Sequence, residues 1–209
     1  TLEMPSVSVL DERDAAVIEA CAAELRPLLP PEGPVLVLGI GNRRVTADAL
    51  GPRTAQKILV TMGPQHTLPV RGIRPVAALA PGVSGDTGLT LRQLAAAMVD
   101  AVRPAALICV DSLCSAEAAR LGRTIQFSDT GLHPADVRHA RHLDAAALGV
   151  PVIAAGIPTL MDADEGADLV LTPRALDSVI AHGSALLAGI LNRALQPRLS
   201  VAQLCWLTG

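Results

Sequence analysis

The sequence is poor in aromatic residues: 209 residues include one Trp, one Phe and no Tyr. A stacking platform for single-stranded nucleic acid needs several such rings, so that class is excluded. No block of basic residues occurs and the formal net charge is −3, which also argues against direct binding to nucleic acid phosphates. The four cysteines (Cys21, Cys109, Cys114 and Cys205) form no C-x-x-C pair. They read as reduced thiols packed as small hydrophobes in a cytoplasmic protein. No apolar run reaches the roughly 18 residues that span a bilayer, so no membrane role is expected. The first residues carry Glu3, Asp11, Glu12 and Asp14 without a basic segment, unlike a signal peptide.

What is abundant is small aliphatic residues: half the chain is hydrophobic. A core built from Ala, Val, Leu and Ile suits helices packed closely on a sheet. Helical spacing predicts helices over 11–29, 52–62, 90–102 and 173–195, the last capped by Thr172. A short Ala-rich helix is expected over 112–121. Continuous apolar runs predict strands over 35–40, 75–80, 106–111, 124–128 and 150–157. Strands alternating with helices predict one α/β domain over 1–209, a mostly parallel sheet with helices on both faces.

Several familiar motifs are absent. Gly39-Ile40-Gly41 follows a strand, but Arg44 stands where a dinucleotide fingerprint needs its third glycine. There is no Walker A loop, no H-E-x-x-H and no G-x-S-x-G. No cofactor is expected. Asp-Thr-Gly occurs twice, at 86–88 and 129–131, as in all-β pepsin-like proteases, yet the alternation of strands and helices is wrong for that fold. Asp86 reads as a turn residue.

Three other acids fall where strands give way to helices: Asp48, Asp111 and Asp129. Each alone reads as a cap or turn residue. Together they stand at the carboxyl ends of strands, which gather on one edge of a parallel sheet and carry its chemistry. Two carboxylates brought together there share a proton and activate water. Gly41 and Asn42 are candidates for steadying an oxyanion, and Asp111, Thr130 and His133 for contacting substrate. Asp48, Asp129 and His133 form an oxygen-rich alternative metal set.

Several stretches resemble the germination protease family of spore-forming bacteria. They include Val45-Thr46-Ala47-Asp48-Ala49-Leu50-Gly51-Pro52, Ala80-Pro81-Gly82-Val83, Ser128-Asp129-Thr130-Gly131, Gly149-Val150-Pro151-Val152-Ile153-Ala154 and Leu191-Asn192-Arg193-Ala194-Leu195. The resemblance runs in order from about residue 35 to 196. It implies an atypical aspartic endopeptidase, made as a zymogen in this family, that degrades small acid-soluble spore proteins in the spore core. The implied fold is that of the hydrogenase maturation proteases, and the implied catalytic pair is Asp48 and Asp129. A homo-oligomer is left open. Two departures stand out: Ala135–Arg141 replaces a glycine-rich basic segment, and a family insertion between Thr159 and Val170 is shortened. The first departure keeps a non-proteolytic spore-associated relative in view, and the implied kinship with the hydrogenase maturation proteases keeps a metal-guided maturation protease in view.

Overall fold

The computed structural model describes residues 1–63, 72–132, 142–163 and 169–208. In chain order the elements are β1 (Leu2–Glu3), α1 (Ala15–Leu25), β2 (Val35–Gly39), α2 (Leu50–Ala55), β3 (Val76–Leu79), α3 (Ser84–Thr87), α4 (Leu91–Val102), β4 (Ala106–Cys114), β5 (Thr124–Ser128), α5 (Ala145–Leu148), β6 (Val152–Asp162), β7 (Val170–Leu171), α6 (Leu176–Leu195) and α7 (Val201–Thr208). The sheet runs β1-β5-β6-β4-β2-β3, with β7 joined to the end of β6. The four central strands β6, β4, β2 and β3 are mutually parallel.

Alternation along these strands builds two cores. Val35, Val37, Ile108, Val110, Ile153 and Ile157 face α1, α2 and α6. Leu36, Leu38, Leu107, Cys109 and Val152 face α4. A strand covered on both faces must be apolar at every position, which is why β2 reads as an unbroken run with every residue buried. The helix α6 is long and apolar enough to cross a membrane by composition, but 67% of that window is buried in this core.

Two sequence expectations fail for tertiary reasons. The helix expected over 52–62 ends at Ala55. Beyond it, the buried Asn192 of α6 accepts from Leu59 N–H (2.8 Å) and donates to Lys57 C=O (3.0 Å), taking the main-chain groups that a helix would pair internally. The helix expected over 112–121 is replaced by continued strand to Cys114 and a single 3-10 turn at Ala118–Arg120. β6 is longer than its apolar run, and it pairs with 112–114 through a bulge at Leu113/Cys114. Without a crossover helix, β5 returns antiparallel to β6. At α6 the cap position is Ala175, and no side chain caps the helix, so Thr172 does not serve. The cysteine expectation holds for buried Cys21 and Cys109, whereas Cys114 is exposed.

Candidate active site at the carboxyl edge of the sheet

From β2 the chain passes to β3 on one side, then crosses to β4 on the other. The crevice at the carboxyl ends of β2 and β4 therefore lies where the strand order reverses, the usual place for a site in an open α/β sheet. Asp111 is the sixth residue of β4, just past the last ladder residue opposite β2. Asp48 closes a 3-10 turn, Thr46–Asp48, that leads into α2.

Local sequence explains how Asp48 is held. Gly41 has φ +122°, and a Cβ there would overlap the Asp48 carbonyl oxygen and lie 2.8 Å from its Oδ1. Only glycine lets the loop fold back this far. The Asn42 N–H donates to Asp48 Oδ2 at 2.7 Å, fixing the carboxylate's rotation. Gly39 and Gly51 lie main chain to main chain, so α2 sits directly on the end of β2. From β6, the fully buried Thr159 hydroxyl donates to Ala47 C=O at 2.9 Å and ties down the turn.

Both carboxyl groups are shifted upward, and the charge of Asp48 contributes to the shift of Asp111. Asp111 is pushed up to about 7, first by burial and then by the like charge of Asp48, against a lowering bond from Ser112 N–H (2.7 Å). Burial also raises Asp48, opposed by the Asn42 bond. Near neutral pH Asp111 is therefore poised to gain or lose its proton. Beneath them, burial and the Asp111 charge push the Cys109 thiol up to about 12, so it stays protonated and inert.

Asp129 does not join this pair. Because β5 is antiparallel, its end at Ser128 lies opposite Ala154, towards the start of β6, whereas Asp111 lies opposite Gly156. Asp129 is thus two strands across and about 10 Å back along the sheet, near its amino edge. The expectation that all three acids share one edge assumed a parallel β5, which needs the helix that residues 112–121 do not form. Exposed Asp129 belongs instead to a local turn, where Ser128 Oγ and Thr130 Oγ1 bond at 2.7 Å and Thr130 N–H reaches Ser128 Oγ. Thr130 is accordingly remote from Asp48. The next residues anchor through the buried pair Leu132 and Leu143. His133 lies outside the described residues. The metal set of Asp48, Asp129 and His133 fails on the same separation, and no cluster of three or more metal-ligating side chains exists among the described residues. The Asn42 N–H is already given to Asp48 and so is unavailable as an oxyanion donor; its side-chain oxygen accepts from Arg44 N–H (2.9 Å), which leaves the side-chain amide nitrogen as its remaining candidate donor. Asp86 forms an exposed ion pair with Arg44 at 3.5 Å, joining the loops after β2 and β3.

The role of Asp111 was hard to read because its run ends in an acid that looks like any strand terminus. The available signal was its position at the end of the strand next to β2, across the switch point. Its neighbour Ser112 has a buried hydroxyl with no partner among the described residues. Ser112→Ala is expected to raise stability by about 1 kcal/mol, read as an increased denaturation midpoint, since an unsatisfied buried hydroxyl costs about that much. An unchanged or lowered midpoint counts against a dry hydroxyl.

The sequence profile described as germination protease matches residues 12–165. The chain is 32% identical to the germination protease of Clostridium perfringens strain SM101, over 95% of this chain and 78% of that one. It is 39% identical to the Clostridium tetani germination protease, over 78% of this chain and 53% of the relative. Its fold is similar to that of a NiFe hydrogenase maturation protease from Thermococcus kodakarensis, with a TM-score of 0.50, 16% identity, and coverage of 80% of this chain and 98% of that one. The perfringens alignment extends over 257 positions, more than the 209 residues here, so stretches of the relative have no counterpart in this chain. With the profile covering most of its length and the Clostridium perfringens relative aligned over most of both chains, the chain belongs to the germination protease family.

Proposed function

We propose that this chain is an aspartic-type endopeptidase whose working pair is Asp48 and Asp111, acting on small acid-soluble spore proteins in the spore core at germination. The single observation carrying the pair is the place of Asp111 at the switch point of the sheet, where burial and then the charge of Asp48 lift it to about 7. A carboxylic acid beside a carboxylate is the arrangement that hydrolyses amides without a covalent intermediate.

In this reading Asp48 is the anion and Asp111 the acid, which fixes roles that the sequence leaves open. Asp48, oriented by Asn42 N–H, takes a proton from water as the water oxygen bonds to the scissile carbonyl carbon. The proton of Asp111 bonds to the carbonyl oxygen and stabilises the charge that develops there. Collapse of the tetrahedral species breaks the C–N bond, and the leaving nitrogen takes the proton held by Asp48.

Cleavage of a purified small acid-soluble spore protein tests this. Activity is expected to fall above about pH 7 as Asp111 ionises. It also falls on the acid side when Asp48 protonates, at a pH above that of an ordinary aspartate because its pKa is raised. Asp48→Asn is expected to lose at least a hundred-fold in rate, whereas Asp129→Asn stays within about two-fold. A dead Asp129→Asn with a folded chain would overturn the Asp48–Asp111 assignment. If the unsubstituted chain leaves the substrate uncut at every pH, the non-proteolytic alternative replaces this reading.

A further inference from the structure

The β2–β4 ladder ends beside the proposed pair. The last ladder bond between β2 and β4 runs from Ile40 N–H to Val110 C=O (2.8 Å). Gly41, at φ +122°, then turns the chain out of the sheet. β4 continues to Cys114, paired on its other side with β6. In a parallel ladder, the N–H and C=O of alternate residues point to the same neighbour. Val110 points to β2, so Ser112 and Cys114 point into the space that β2 has vacated. The Ser112 N–H is occupied by the Asp111 carboxylate. Among the described residues, no strand pairs with 112–114 on that side. The stretch begins at Asp111 and ends at an exposed residue, Cys114, so it is continuous with the pair at one end and open at the other.

We propose that the polypeptide substrate docks here as an extended strand, taking the place β2 would have continued into and hydrogen-bonding to the main chain of Ser112 and Cys114. The inference rests on the peptidase reading of Asp48 and Asp111 and specifies how the substrate is presented to them. The open edge is three residues long, about 10 Å, enough to hold a short segment in one register with a peptide bond against the carboxyl groups. Recognition through main-chain bonds selects for an unfolded segment before it selects for sequence. The other exposed edges are poorer: the outer edge of β3 is separated from β4 by β2, and β7 has only two residues.

The test uses the full chain carrying Asp48→Asn, with a small acid-soluble spore protein as the bound, uncut probe. Binding is measured by calorimetry and amide exchange by mass spectrometry and NMR. Exchange at the Cys114 amide is expected to slow at least ten-fold on binding, with the outer edge of β3 unchanged. If the probe binds and Cys114 exchange does not change, the docking inference falls, while the peptidase reading stands on cleavage by the unsubstituted chain. If the unsubstituted chain neither binds nor cuts the probe, the peptidase reading falls and takes the docking inference with it.

Discussion

Asp111→Asn is expected to abolish cleavage and stabilise the fold at the same time. The loss, about a thousand-fold or more, follows from removing the acid that polarises the carbonyl. The stability gain follows from linkage. An unfolded aspartate ionises near its ordinary value of about 3.9, but in the folded chain Asp111 holds its proton up to about 7. Between those values the native state binds a proton that the unfolded state has lost, so stability falls as pH rises through this window and then stays flat. Asparagine removes that penalty and still accepts from Ser112 N–H. The gain should be negligible near pH 4 and on the order of 2 kcal/mol by pH 8, less than the full shift implies because Asp111 is partly solvated. Urea titrations at the two pH values read it. Equal denaturation midpoints for variant and parent at pH 8 would show that Asp111 carries no perturbed proton, and the assigned roles would fall with it.

Gly41→Ala is the second large effect, and it acts on Asp48 without touching its chemistry. At φ +122° an added Cβ is strained by about 1–3 kcal/mol even in open space. Here the space is taken by the Asp48 main chain and carboxylate. Something must move, and the movable part is the loop that aims Asp48. A displacement of about 1 Å costs roughly a hundred-fold in rate. We expect kcat to fall by about that factor with a folded chain and a lowered denaturation midpoint. Retention of full kcat by a stably folded Gly41→Ala would mean that Asp48 needs no such aim.

How much was legible in the sequence depended on whether a signal was local. The runs Val35–Gly39 and Ala106–Val110 are buried on both faces, and a continuous apolar string says so directly. Helical spacing of its apolar residues announces α4, expected over 90–102 and found over Leu91–Val102. Asp48 stands out because it follows an apolar run at a strand-to-helix crossover, a local pattern. The partner of Asp48 does not, because it depends on the direction of a strand two places away. Residues 112–121 look helical from their alanines, yet Ser112–Cys114 find a partner in β6, more than forty residues later. That one pairing removes the crossover, reverses β5, and sends Asp129 to the opposite edge. The error at 57–62 has the same origin, since Asn192 claims the main chain there from more than a hundred and thirty residues away.

The position of β6 has a consequence for how the chain assembles. It is made after β2, β3, β4 and β5, but it lies between β4 and β5. While residues up to about 150 have been synthesised, β4 offers a bare apolar flank and β5 has only the two-residue β1 beside it. The two acidic residues of the pair and the strands bearing them are complete by then, yet the sheet closes only when β6 slides into the middle. Folding is therefore governed by late contacts between distant segments, which are slow to form. A nascent chain stalled before β6 exposes the edges that drive aggregation.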